Sequence, residues 1–224
     1  MGLIEARRRL MTNGLLPPMY RRCDYLQTTG YNSRIDTGVP GNDQTLILDF
    51  DYATVVRHSY GGAIGNYINE QTKCWRLLNP SGTGDTRNYL FSALNRRAGS
   101  SSTISVVPDG ESMIGKRINF RLSFGRCVST YGSYSATVTP AATDASEDVS
   151  DRNITIGALY PAHSGNATPV GRFWHFKIWS QGNLIRNYIP CIRQRDSKAG
   201  FWDTVNRTFN PSIGSVDFIA GYDT

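Results

Sequence analysis

The stretch from Gly171 to Gly221 constrains this chain most, because it spells two consecutive β-hairpins. From Arg172 to Trp179 the residues alternate, with Trp174, Phe176 and Ile178 on one face and Phe173, His175 and Lys177 on the other. That period of two is the signature of a strand. Gln181-Gly182-Asn183 supplies a turn, and Leu184 to Ile189 returns as a strand expected to stop at Pro190, which has no donor for the ladder. Gly200-Phe201-Trp202-Asp203, turning at Val205-Asn206-Arg207 into Thr208-Phe209, reads as the second hairpin, and Gly214 introduces a final strand over Val216 to Ile219. Trp174 is expected in the core and Trp202 over the last hairpin. Successive hairpins predict an antiparallel, all-β domain.

The same alternation recurs upstream. Leu46, Leu48, Phe50 and Tyr52 alternate with Ile47, Asp49 and Asp51, and Ile118, Phe120, Leu122 and Phe124 alternate with Asn119, Arg121 and Ser123, as in half-buried strands. Asn153 to Ala158 is another strand of this type. Gly-, Ser- and Asn-rich stretches at 58–72, 79–88, 98–103 and 129–152 read as loops or edge strands. A length of 224 residues with 39% hydrophobic side chains suits one β-sandwich with a short extension. The expected division is 1–22, an N-terminal helix and proline linker, and 23–224, the sandwich. Leu3, Ala6, Leu10 and Met11 fall on one side of that helix, and Asn13-Gly14 ends it. A helix this short is marginal alone. With Pro17-Pro18 behind it, Leu3, Arg7, Arg8, Arg9, Leu10 and Met11 are expected to anchor the chain on a partner.

Composition excludes several functions. The formal charge of +6 is scattered apart from Arg7-Arg8-Arg9, Arg21-Arg22 and Arg96-Arg97, whereas nucleic-acid surfaces concentrate theirs. Cys23, Cys74, Cys127 and Cys191 have no metal-ligand spacing and read as buried, reduced thiols. No apolar run has the length of a membrane span, and Met1 to Leu16 carries its arginines inside the segment, so neither membrane insertion nor a signal peptide is expected. Synthesis in a cytoplasm follows.

Gly110 to Lys116 has the spacing of a phosphate-binding loop, but Arg117 replaces the hydroxyl residue and a strand follows where a helix is needed, so it reads as a turn. Asp49 and Asp51 share a strand face, about 7 Å apart by strand rise, which invites comparison with a glycosidase carboxylate pair. The three histidines stand apart in the sequence and nominate no nucleophile partner. Sugar recognition combines an aromatic ring with amides and carboxylates. Tyr60, Asn66, Tyr67, Asn69 and Trp75 in one loop, and Tyr131 and Tyr134 in another, offer that mixture and are the candidate carbohydrate-binding residues.

A family resemblance rests on the residues above. Phe176-Lys177-Ile178-Trp179, Leu184-Ile185-Arg186, Ile189-Pro190-Cys191, Gly200-Phe201-Trp202-Asp203 and Phe218-Ile219-Ala220-Gly221 resemble the tail of concanavalin A-like (laminin G-like) jelly-roll domains, many of them from bacteriophages and gut bacteria. Tyr25 to Gly30 with Ile35 to Gly38 is similar to their opening strands, so the match brackets residues 25 to 221, while 55 to 145 match only by strand rhythm. The resemblance implies a two-sheet antiparallel jelly roll. Hydrolases of this fold share a Glu-x-Asp-x-x-Glu strand, and here Asp49-Phe50-Asp51 is followed by Tyr52-Ala53-Thr54, so no catalytic residue is named. Some laminin G-like domains hold calcium through scattered oxygens. Asp144, Glu147, Asp148 and Asp151 could do so but match no ligand spacing, and no other cofactor is expected. The function implied is a non-enzymatic structural or adhesion protein of a bacteriophage virion: a head fibre, capsid decoration or tail component. It is expected to be oligomeric, attached to other virion proteins through its N-terminal segment, with a lectin-like domain for host-surface glycans. A glycan-active hydrolase and a bacterial lectin are the alternatives.

Overall fold

Wherever the sequence alternates, the chain forms a strand with one row buried. The computed structural model describes residues 16–29, 33–56, 62–69, 71–78, 87–142, 148–158 and 170–223. The expected helix with Leu3, Arg7, Arg8, Arg9, Leu10 and Met11 lies outside the described residues. In chain order the first strands are β1 (Tyr20–Arg22), β2 (Tyr25–Gln27), β3 (Ile35–Pro40), β4 (Ile47–Val56), β5 (Gly62–Gly65) and β6 (Lys73–Leu78). Then come β7 (Asn88–Arg97), β8 (Ser102–Ser105), β9 (Ile118–Ser123), β10 (Arg126–Tyr131), β11 (Tyr134–Val138) and β12 (Asn153–Ile156). The C-terminal run is β13 (Val170–Ser180), β14 (Asn183–Arg193), β15 (Lys198–Asp203), β16 (Thr208–Pro211) and β17 (Ile219–Gly221).

These strands build two antiparallel sheets. The larger, of 11 strands, runs β11-β10-β9-β4-β13-β14-β15-β16, with β2 beside β13, β1 beside β14 and β17 beside β2. The smaller runs β3-β12-β5-β6-β7-β8. One core lies between them: Leu48, Phe50, Tyr52, Phe120, Phe173, Phe176 and Phe201 face Ile64, Trp75, Leu77, Tyr89, Phe91 and Ile156, all essentially inaccessible to solvent. Phe50 stacks between Phe176 and Phe120, at ring-centroid distances of 4.9 and 5.6 Å. All four cysteines are buried and form no disulfide. Burial pushes the Cys23 and Cys191 thiols up to about 12, so neither is a reactive thiolate.

Several expectations are corrected. In β13 the register shifts between Phe173, opposite Tyr52, and His175, opposite Asp51, so Trp174 is the extra residue of a bulge. Phe173 therefore joins Phe176 and Ile178 in the main core, while Trp174 is buried as expected but on the outer side of the sheet with His175, packed against Tyr25 and Arg117. Strand β14 runs straight through Pro190. Its neighbour on one side changes there from β13, paired up to Tyr188, to β1, paired from Cys191, so the missing N–H breaks no ladder bond. Residues 20–22, read as linker, are β1, and Tyr20 packs on Trp202 and Phe209 at 4.9 and 5.2 Å. Phe124 sits in a turn and is exposed, not inward-facing. The last strand is Ile219–Gly221, and Gly62–Gly65 is an interior strand between β12 and β6, not an edge.

Candidate functional site

The outer face of the larger sheet carries the polar groups with the most chemistry. Alternation on β4 turns Asp49 and Asp51 outward, opposite Arg121 and Asn119 on β9 and opposite Lys177 and His175 on β13. The bulge at Trp174 sets the phase that brings His175 into this row. Two carboxylates, an amide, an imidazole and two guanidiniums meet there.

Their contacts interlock. Asn119 Nδ2 donates to both carboxylates, at 3.0 Å to Asp49 Oδ1 and 2.9 Å to Asp51 Oδ1. Arg117 donates through Nε at 2.7 Å and pairs through Nη2 at 2.5 Å, both with Asp51 Oδ2, while Arg121 Nη1 is 3.1 Å from Asp49 Oδ2. The His175 ring lies between the acids, with Nε2 3.6 Å from Asp49 Oδ1 and Nδ1 3.5 Å from Asp51 Oδ2. Tryptophans back the arginines: Arg117 lies over Trp174 at 5.0 Å and Arg121 over Trp179 at 5.5 Å. The Trp174 indole N–H donates to the Asp223 carboxylate, which pins the C-terminal segment beside the site.

Electrostatics hold these groups charged. Burial opposes the charge on Asp51, but hydrogen bonds from His175 and Asn119 and the positive charges of His175 and Arg117 keep its carboxyl well below the usual range. Asp49 is lowered in the same way, with Arg121 in place of Arg117. Burial opposes charge on His175 too, and the two carboxylates overcome it, so the imidazole is raised above its ordinary value. The signs fix a stability window. The histidine contribution is fully present below about pH 6.5 and is lost as pH rises through the raised value; the carboxylate contribution is present above about pH 4 and is lost as pH falls through the lowered values. The network should therefore stabilise most between about pH 4 and 6.5. Replacing Asp51→Asn is expected to cost about 1.5–3 kcal/mol in that window, the range for hydrogen bonds to a charged group. Melting temperature against pH checks this: a constant offset between wild type and variant from pH 4 to 9 would contradict it.

The residues expected from sequence to bind sugar do not converge here. Tyr60 lies outside the described residues. Trp75 is fully buried in the main core and donates its indole N–H to Gly41 O at 2.9 Å, so it presents no ring to solvent. Asn66 is buried, accepting from Trp75 N at 2.8 Å and donating to Ser150 O and Arg152 O at 3.1 and 3.2 Å. Tyr67 packs with Cys74 and Leu78 in a small satellite core. Asn69 caps a turn by accepting from Gln71 N and Thr72 Oγ1, both at 2.9 Å. An aromatic- and amide-rich loop is here the wall of a core, because β6 is buried on both faces. Tyr131 and Tyr134 face each other at the end of the β10–β11 hairpin, half-buried, with the Lys116 ammonium 4.7 Å from the Tyr131 ring. Of the acidic loop, Asp148 and Asp151 are exposed and Asp144 and Glu147 lie outside the described residues. Among the described residues no group of three His, Cys, Asp or Glu side chains is arranged to hold a metal ion.

No protein-family model matches the chain, and no curated protein does. Among solved structures it is similar to the native heptameric SAP-like pentraxin from Limulus polyphemus, at 11% identity over 93% of this chain and 98% of that one, with a TM-score of 0.54. The fold is a concanavalin A-like jelly roll. This jelly roll is also similar to domains LG4-5 of the mouse laminin alpha1 chain, at 14% identity over 73% of this chain, with a TM-score of 0.48. The chain spans 43% of that laminin fragment. Within the jelly roll, the Asp49–Asp51–His175 cluster lies on the outer face of the larger sheet, across β9, β4 and β13.

Proposed function

We propose that this chain is a non-enzymatic, lectin-like adhesion domain of a bacteriophage virion, oligomeric and attached through its N-terminal segment, which binds host-surface glycans on the outer face of its larger sheet. The observation that carries the reading is the interlocked set of Asp49, Asp51, Asn119, His175 and Arg121 beside the half-buried Trp179. Planar hydrogen-bonding side chains next to an indole are the chemistry that holds sugar hydroxyls and a pyranose face. The virion role is supported by the resemblance of the C-terminal hairpins to concanavalin A-like jelly-roll domains, many of which occur in bacteriophages and gut bacteria.

The same geometry argues for binding over hydrolysis. Glycoside cleavage needs one carboxyl that keeps a proton to give to the leaving oxygen, a group whose affinity for protons is raised. Both Asp49 and Asp51 are shifted the other way. A glycan array tests the proposal, with wild type expected to bind and Asn119→Ala and Trp179→Ala each expected to lose about tenfold or more in affinity, the equivalent of about 1.4 kcal/mol. Absence of wild-type binding to any glycan would overturn it. Release of reducing sugar by wild type, abolished in the Asp49→Asn, Asp51→Asn double variant, would replace it with a hydrolase.

A further inference from the structure

The fold gathers positive charge that the sequence spreads. Strand β1 sets Tyr20, Arg21 and Arg22 opposite Arg193, Ile192 and Cys191 of β14, and β15 sets Lys198 on the other side of Arg193, with Arg195 in the turn between the two strands. Arg21, Arg22, Arg193, Arg195 and Lys198 thus meet at one end of the larger sheet. The acids beside them in the chain are Asp196, held by Arg193 at 3.0 and 2.6 Å, and Asp24, just beyond β1. That leaves an excess of three positive charges, and residues 1–15, with Arg7, Arg8, Arg9 and Glu5, enter at the same end and bring two more. Since the formal net charge is +6, the remainder of the chain is close to neutral.

The point of entry is fastened to this end. Tyr20 N–H donates to Pro17 O at 2.9 Å and closes a turn over Pro18-Met19, while Gln194 of the β14–β15 turn donates through Nε2 to Pro18 O at 3.1 Å and through its backbone to Met19 O at 3.0 Å. The linker therefore delivers the N-terminal segment beside Arg193 and Arg195. Apolar groups lie among the cations. Met19 is 60% exposed, and half-buried Tyr20 and Phe209 stack at 5.2 Å beside buried Trp202, with the Arg193 guanidinium 4.7 Å from the Phe209 ring. Methionine, aromatic rings and arginine are the residues in which protein–protein interfaces are enriched.

We propose that this end, formed by β1, the β14–β15 turn and Phe209, is a docking surface for an acidic protein, and that residues 1–15 act with it as one attachment site. Carboxylates of the partner pair with Arg21, Arg195 and Lys198, which are exposed and, among the described residues, in no ion pair. Met19 and the Tyr20–Phe209 stack supply the apolar centre. A second copy cannot meet this surface with the same surface of its own, because like charge would face like charge. Nucleic acid suits it less than protein does: the Asp196 carboxylate stands among the cations and repels phosphate, and an exposed methionine offers a phosphate backbone nothing. The inference rests on the attachment part of the reading above, adds the partner's chemistry to it, and is independent of the glycan part.

Three double variants of the full chain, equal in net charge, test it. Arg195→Glu with Lys198→Glu alters the surface, Arg7→Glu with Arg8→Glu alters the N-terminal segment, and Arg126→Glu with Arg207→Glu, exposed elsewhere, is the control. The probes are poly-L-glutamate, a glutamate–tyrosine copolymer and duplex DNA, followed by fluorescence anisotropy. Wild type is expected to bind the copolymer more tightly than poly-L-glutamate, with affinity falling about tenfold or more between about 0.05 and 0.5 M salt. The surface and N-terminal variants are each expected to lose about tenfold or more, the control less than about threefold, and Met19→Ser to lose the preference for the copolymer. Equal losses in the surface and control variants mean that net charge alone is read, and overturn the proposal. If the N-terminal variant loses binding while the surface variant matches the control, the docking surface is overturned and the attachment reading stands. Tighter binding to DNA than to the copolymer overturns the protein partner in favour of nucleic acid, and self-assembly that the surface variant abolishes overturns it in favour of a second copy. Wild type that binds neither polymer overturns the attachment reading and the docking surface together.

Discussion

Trp75→Ala is expected to destabilise this domain strongly and not merely to weaken a sugar contact. The indole is fully buried in the shared core and donates to Gly41 O, so the substitution removes a large apolar ring, leaves a cavity and orphans a buried carbonyl. Truncation of a core tryptophan costs about 3–5 kcal/mol, out of a total stability that for a domain is about 5–15 kcal/mol. In a chain of this size that corresponds to a melting temperature lowered by roughly 6–20 °C. Urea unfolding measures it directly, with the midpoint falling and the slope retained. Trp75→Phe should keep most of the packing and lose the hydrogen bond, at about 1–3 kcal/mol. A Trp75→Ala protein of wild-type stability with altered glycan binding would return this residue to the ligand and contradict its burial.

The sequence pattern that placed Trp75 on a loop shows where legibility ends. Period two made β4, β9, β13 and both C-terminal hairpins readable, because each buries one row and exposes the other. Strand β6 buries both rows, so Lys73, Trp75 and Arg76 carry no alternation to read, and polar neighbours suggested a loop. The bulge at Trp174 was hidden for a different reason. An inserted residue shifts phase by one, and Trp174, Phe176 and Ile178 form an unbroken apolar alternation that points to the wrong partner for Phe173. Half of the candidate site was visible: Asp49 and Asp51 on one face, with Asn119 and Arg121 on the outward row of another strand. What joined them was the pairing of β4 with β9 and β13, contacts separated by about 70 and 125 residues that no local pattern encodes. Complementary charge on two outward rows was the signal available, acidic on β4 and basic or amide on β9.

Gly171→Ala tests the junction where fold and site meet. Gly171 precedes the bulge, and its backbone is fixed on one side by Thr28, whose Oγ1 accepts from Gly171 N at 2.9 Å and whose N–H donates to Gly171 O at 2.9 Å. On the other side a Cβ would stand 2.3 Å from the Tyr52 ring and hydroxyl. That ring cannot swing away: it is inaccessible to solvent, 4.8 Å from Phe173 and 6.1 Å from Tyr89 between ring centroids. The methyl must therefore displace either Tyr52 with its strand or β13 with its bulge, and overpacking of this kind costs about 3 kcal/mol, the upper part of the usual range. If β13 yields, His175 moves off the register that sets it opposite Asp51, and the site is disturbed along with the core. The expected result is a melting temperature lowered by roughly 6–12 °C, together with loss of the raised histidine titration. A double-mutant cycle identifies the cause. Tyr52→Leu alone should be destabilising, but combined with Gly171→Ala it should cost clearly less than the sum of the two, because the leucine vacates the space the methyl needs. Strict additivity would mean that the alanine acts through the backbone of β13 and not through the Tyr52 ring.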